Sequence, residues 1–223
     1  MRTLALLTLV PQLALAHFIL DAPAANFTQG ILGDPQKAPP CGDDGSGSAM
    51  ASGQVTTFVA GQTVTIKLRE TIFHPGHYRV ALGVNGPGDL PAEPPVTAGA
   101  TACGSAPIDP NPAFPVLADG LLQHTMSFSG TQTVEVKLPA DVTCTNCTLQ
   151  VLEFMSSHGL NNPGGCYYHH CATINVVAAD AGVMPSDPMM TTKGCSTTGV
   201  ELLPMLGLAG LWLRRISVRR RRS

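Results

Sequence analysis

Seven short runs, QVTTFVA, QTVTIKLRETI, HYRVALGV, HTMSFS, TQTVEVKL, TLQVLEFM and CATINVVA, alternate apolar with polar residues and are rich in Val, Ile, Thr or Phe. Each is bounded by Gly, Pro, Asn or Asp, the residues that interrupt strands. A period of two sorts side chains onto the two faces of a strand, and no stretch carries the helical period that would compete with it. Seven short strands predict an all-β fold, an immunoglobulin/fibronectin-like β-sandwich. Residues 27–53 and 85–120, dense in Pro, Gly, Ala and Ser, are expected to be long loops. Loops of that length in a domain are functional or stapled down. No internal repeat is present.

Both ends of the chain have their own patterns. MRTLALLTLVPQLALA carries one basic residue, an apolar run from Leu4 to Val10, and small residues at Ala14 and Ala16. This is the layout of an export signal, with cleavage expected after Ala16 so that His17 becomes the mature N-terminus. At the far end Gly194-Cys195 precedes the apolar run from Leu202 to Leu213 and the arginine-rich RRISVRRRRS. Twelve residues fall short of the roughly 20 that span a bilayer, while basic residues beyond an apolar run hold that end on the cytoplasmic side. The last 30 or so residues resemble the MYXO-CTERM tags of myxobacterial surface proteins. That resemblance implies transient membrane attachment, processing near Cys195 and a protein secreted or displayed on the cell surface. The expected layout is a signal over 1–16, one domain over 17–180, a linker over 181–193 and a tag over 194–223.

Between the processed ends, residues 17–193 hold six of the thirteen basic residues and fourteen of the fifteen acids, a formal charge of −8. Such a domain repels nucleic acid and anionic polymers. The same span carries Cys41, Cys103, Cys144, Cys147, Cys166 and Cys171. An even number in an exported chain predicts disulfides, with fifteen pairings open. Oxidising surroundings and the lack of a βαβ context argue against zinc or thioredoxin-like chemistry at Cys144-Thr-Asn-Cys147.

All seven histidines, His17, His74, His77, His124, His158, His169 and His170, lie in the exported part. A mature N-terminal histidine is chemically distinctive, since its α-amine and imidazole Nδ1 can close a chelate ring on one metal ion. The α-amine has a free pKa near 8, so a metal displaces its proton readily. A further imidazole completes three nitrogen donors, a set that favours copper(II). RETIFHPGHYRVAL offers two candidates, His74 and His77, at the ends of an expected tight hairpin turned by Pro75-Gly76; on the residues alone the two stay open.

The N-terminal histidine, the strand leading into His74-Pro75-Gly76, and the late Cys166 to Cys171 segment closing in CATINV together resemble the lytic polysaccharide monooxygenases. HFILDAP and GDPQKAPPCG are similar to a myxobacterial monooxygenase-like branch of them. The resemblance spans most of residues 17–178. It implies a copper site in which His17 supplies two nitrogens and His74 the third, with His77 standing where the family often has an aromatic. It places the axial residue on Tyr168, and a hydrogen-bonding residue near the metal on His158, with Glu153 next. His169 and His170 are read as exposed loop residues. Thr173 stands where the family has Asp.

The activity implied is oxidative cleavage of polysaccharide at C1–H or C4–H, with an external electron donor and O₂ or H₂O₂, by a monomer. Glu70, Glu93 and Glu153 show no spacing that calls for paired-carboxylate hydrolysis. Aromatic rings that could face a crystalline glycan are scarce: Tyr78, Tyr167 and Tyr168 are the only tyrosines, and Trp212 lies in the tag. The alternatives are a surface protein that binds copper through the same nitrogens without oxygenase activity, and a metal-free adhesion sandwich.

Overall fold

A computed structural model of the chain describes residues 17–179. The expected export signal, linker and sorting tag lie outside the described residues. Eight strands form two sheets: β1 (His17–Ala22), β2 (Val55–Val59), β3 (Thr63–Ile72), β4 (Gly76–Gly83), β5 (Val116–His124), β6 (Gln132–Lys137), β7 (Cys144–Met155) and β8 (Tyr167–Val177). One sheet runs β1-β3-β6 and the other β2-β8-β7-β4-β5. All pairings are antiparallel except that of β2 with β8. No α-helix occurs among the described residues, so the expected all-β sandwich is the fold.

Alternation explains the three-stranded sheet directly. In β3, Val64, Ile66 and Leu68 are buried while Thr63, Thr65, Lys67 and Arg69 face outward. Phe18 and Leu20 of β1 join them against Tyr78, Val80, Leu82, Leu149, Val151, Tyr168, Ala172 and Ile174 of the larger sheet. The larger sheet is covered on its other face as well, where Leu152, Phe154 and Tyr167 pack with the Cys103–Cys166 bridge. Burial on both faces removes the polar alternation from β4 and β7, as expected of strands with no solvated side.

Three sequence expectations change. Of the run HTMSFS only His124 is strand, the last residue of β5 (Val116–His124), whose first five residues fall in the segment expected to be loop up to residue 120. Asp119-Gly120 suggests a turn, but Gly120 (φ 66°) and Leu122 (φ 49°) instead accommodate register shifts in the β4–β5 ladder. HFILDA is a strand that the seven runs omit, because loop residues cover its outward face and leave no alternation to find. Finally, β3 and β4 are not a hairpin. Both edges of β3 are filled by β1 and β6, and both edges of β4 by β5 and β7, so Phe73-His74-Pro75 carries the chain around a corner from one sheet to the other.

The six cysteines pair as Cys41–Cys171, Cys103–Cys166 and Cys144–Cys147. The first two staple the two long loops to β8 and to the turn before it. The third closes a loop within β7 across a sequence separation of only 3, against 130 for Cys41–Cys171. Chain-entropy arithmetic gives about 5 kcal/mol for the long bridge and about 2 kcal/mol for the short one. Urea unfolding of the double alanine variants is expected to show that order, with Cys41→Ala/Cys171→Ala the more destabilised; equal losses would contradict it.

Candidate functional site

The register between β1 and β3 sets the geometry. His17 pairs with Ile72, two residues before His74, so the first residue of β1 stands level with the corner between the sheets. The outer edge of β1 is held by side chains rather than by another strand. Gln36 Oε1 accepts from Phe18 N at 3.1 Å, His170 Nε2 meets Phe18 O at 3.0 Å, and Gln29 bonds both the N–H and the carbonyl of Leu20 at 2.8 Å. Thr71 Oγ1 donates to His17 O at 3.1 Å. Gly33, at φ 102°, lies so close that a Cβ there would collide with the Phe18 carbonyl. His17 itself is 2% exposed, and its Nε2 lies 3.7 Å from Asp34 Oδ2. A carboxylate on that side favours the proton on Nε2 and leaves Nδ1 as the donor atom.

His74 is 4% exposed, and its buried Nδ1 makes no hydrogen bond among the described residues. Burial, followed by the nearby His158 and by His17, outweighs the opposing pull of Glu70 and lowers its pKa to about 4, so the imidazole is neutral at ordinary pH. A neutral imidazole is the form that ligates a metal. The corner is fixed by Gly76, where a Cβ would run into the Phe154 carbonyl, and by Ser156, whose backbone N–H and hydroxyl both donate to Pro75 O at 2.7 and 2.9 Å.

Four of the residues singled out in the sequence come together here. The His158 ring lies edge-on to His74 with centroids 4.6 Å apart, and the Tyr168 ring is 5.1 Å from that of His17. Glu153 is the cross-strand neighbour of both Tyr78 and Tyr168, on the face that packs between the sheets. It is fully buried, and neither its carboxyl oxygens nor Tyr78 Oη completes a hydrogen bond of ordinary geometry among the described residues. Burial first, and Glu70 second, raise its pKa well above the carboxylate range. Burial likewise raises the Tyr168 phenol.

His77 is placed elsewhere. It pairs with Phe154 on the outer face of the larger sheet, ring centroids 5.2 Å apart, turned away from the core face that carries Tyr78 and Tyr168. His158, which the resemblance sets near the metal, is 6% exposed. His169 and His170, expected to be exposed, are buried in β8. His169 bonds Glu93 at 2.6 Å, and His170, lowered by burial to a pKa of about 4, holds β1. The three tyrosines are all buried as well, so none can present a ring to a ligand.

Asp34 and the pair behind His74 carry no local sequence signal. His124 Nε2 meets Glu70 Oε1 at 2.6 Å and its Nδ1 meets Leu122 O at 2.8 Å, both side chains being buried. Partners 54 residues apart are found only through the fold. With Glu70 on His124, Glu93 on His169 and Glu153 in the core, no two of these carboxyls share an open cleft. Among the described residues no three His, Cys, Asp or Glu side chains gather in a way that could hold a metal ion.

No family model matches the chain, and no curated protein matches it. Two solved structures are similar to it. A lytic polysaccharide monooxygenase of the AA15 class from Thermobia domestica, in the Cu(I) state, is 21% identical with a TM-score of 0.42, covering 64% of this chain and 78% of that one. A chitin-binding domain from Burkholderia pseudomallei is 10% identical with a TM-score of 0.40, covering 73% of this chain and all of the other. Likeness at this level carries no function across, so function rests on the residues of this chain.

A carboxyl whose pKa is higher folded than unfolded contributes stability that is complete below the unfolded value and is lost as pH rises through the folded one. Glu153→Gln is therefore expected to leave Tm unchanged near pH 4 and to raise it near pH 8, by ~2–4 °C for each kcal/mol relieved. Thermal unfolding at the two pH values checks this; a Tm difference independent of pH would show that Glu153 is not held neutral.

Proposed function

We propose that the mature chain, beginning at His17, binds copper through the α-amine and imidazole of His17 and the imidazole of His74, and uses it for oxidative cleavage of a polysaccharide. The observation that supports this most is the His17–Ile72 pairing, which sets the first residue of β1 beside a neutral, buried imidazole whose Nδ1 makes no hydrogen bond among the described residues. Three nitrogen donors of this kind suit copper above the other first-row metals. Copper bound there supplies one-electron chemistry with an external donor and O₂ or H₂O₂, by which a glycan C1–H or C4–H bond is oxidised and the glycosidic link is lost.

The residues around the ligands have separate tasks. Asp34 orients the His17 ring through Nε2, as partners of metal-bound imidazoles do. Tyr168, packed on His17, closes the inward side and keeps water from it. His158, edge-on to His74, places a second imidazole beside that ligand, where it can hold or pass a proton. Glu153, kept as the neutral acid, adds no charge behind Tyr168.

Leaving one additional residue before His17 is expected to weaken copper binding more than about 100-fold, since a lost ligand costs more than a lost second partner. His74→Ala should do the same and His77→Ala should not. Isothermal titration with Cu(II) reads all three, and retention of affinity by the extended protein removes the assignment. The copper-loaded protein with a reductant should then release oxidised oligosaccharides, read by mass spectrometry. Tight copper binding without such products would favour copper capture alone.

A further inference from the structure

Beyond the metal-binding corner, two adjoining depressions of about 360 and about 560 Å³ meet at Gln123, His124 and Thr125. The first runs past Pro75 and His77 to Ser105 and Ser156; the second continues along residues 126–129 to Gln132. Together they make a trough that starts one residue from His74. Each volume is that of a small-molecule site, and the buried tyrosines offer no ring to the flat face of a crystalline polymer.

The lining has a consistent chemistry. No Asp, Glu, Lys or Arg lines either depression, although the exported part is strongly acidic. His77, Ser105, Gln123, Thr125, Ser127 and Gln132 instead offer uncharged donors and acceptors. His77 makes no hydrogen bond among the described residues, and burial lowers its pKa, which keeps it uncharged. Gln123 and Gln132 each donate to a backbone carbonyl, of Gly120 and of Gly130, at 3.2 Å. Those bonds fix the side chains and leave their amide oxygens to accept from a ligand. Phe73 does not line either depression but is 37% exposed and lies 5.9 Å from the ring of His124, which lines both, so it offers an apolar face beside them. Uncharged hydroxyl, amide and imidazole groups beside one exposed ring match a neutral polyhydroxylated chain, which presents hydroxyls at its edges and C–H groups on its faces.

We infer that this trough binds a single neutral glycan chain and leads it past Phe73 to the His74 corner. The inference deepens the proposed function by naming a soluble, uncharged chain as the substrate class, but its test does not depend on copper. The metal-free protein beginning at His17 is titrated with hexasaccharides of β-1,4-linked glucose, N-acetylglucosamine, mannose and xylose, and with a polygalacturonate hexamer as the anionic control, while NMR follows the His77 and His124 ring protons and the Gln123 side-chain amide. At least one neutral hexasaccharide should shift these signals saturably, and Gln123→Ala with Thr125→Ala, both at exposed positions, should weaken it at least about tenfold. His77→Ala should do likewise. The inference is overturned if no neutral hexasaccharide shifts them, if the anionic hexamer binds as well, or if the substitutions leave affinity unchanged. Copper titration of the same sample reports separately on the metal reading.

Discussion

The whole site depends on where β1 is held. An edge strand has one row of backbone groups without a strand partner, and in this chain that row is occupied by Gln36, Gln29 and the ring of His170. The first two come from the long loop that follows β1 and the third from β8 of the opposite sheet. Strand, loop and second sheet thus meet on Phe18 and Leu20, and His17 inherits its position from its neighbour. A buried hydrogen bond of this type contributes about 1 kcal/mol net, and leaving its partner unsatisfied costs more. Several acting on one short strand give it a single register.

The histidines divide between the two faces of the larger sheet, and the division accounts for their roles. His170, on the core side, holds backbone, and His74 at the corner keeps an Nδ1 without a hydrogen bond among the described residues. His77 and His169, on the outer side, meet the loop and the cavity there. Between the sheets, Glu70 and Glu153 place two carboxyls behind the corner, one engaged by His124 and the other held neutral by burial. The corner proposed to hold the metal thus has the Asp34 carboxylate beside His17 and no Lys or Arg among the side chains described around it, a setting in which an added cation meets little competition from fixed positive charge.

Much of the sandwich is legible in sequence because β2, β3, β6 and the last residues of β8 follow simple alternation, while β4 and β7 show as runs of strand-forming residues between breakers. What alternation cannot show is a strand covered on both sides, which is why HFILDA goes unnoticed, or a bulged strand interrupted by Asp119-Gly120. The corner is legible only in part. His17 and His74 stand out by position and spacing, whereas the choice between His74 and His77 follows from which sheet each strand joins, a matter of long-range pairing. Asp34, Gln36 and the Glu70–His124 pair lie 17 to 54 residues from the groups they serve, and no local pattern marks them. His158 and His170 show the reverse, since polar residues in a short motif give no hint that the fold will bury them.

The bridge between Cys41 and Cys171 joins β8 to the same loop that supplies Gln36 and Gln29. Before that bond exists, the clasp on the first strand relies on hydrogen bonds alone, and a reducing cytoplasm does not permit the bond. Chronology is thereby written into the architecture: the covalent lock on the clasp is added only where thiols can be oxidised, after the chain has been made.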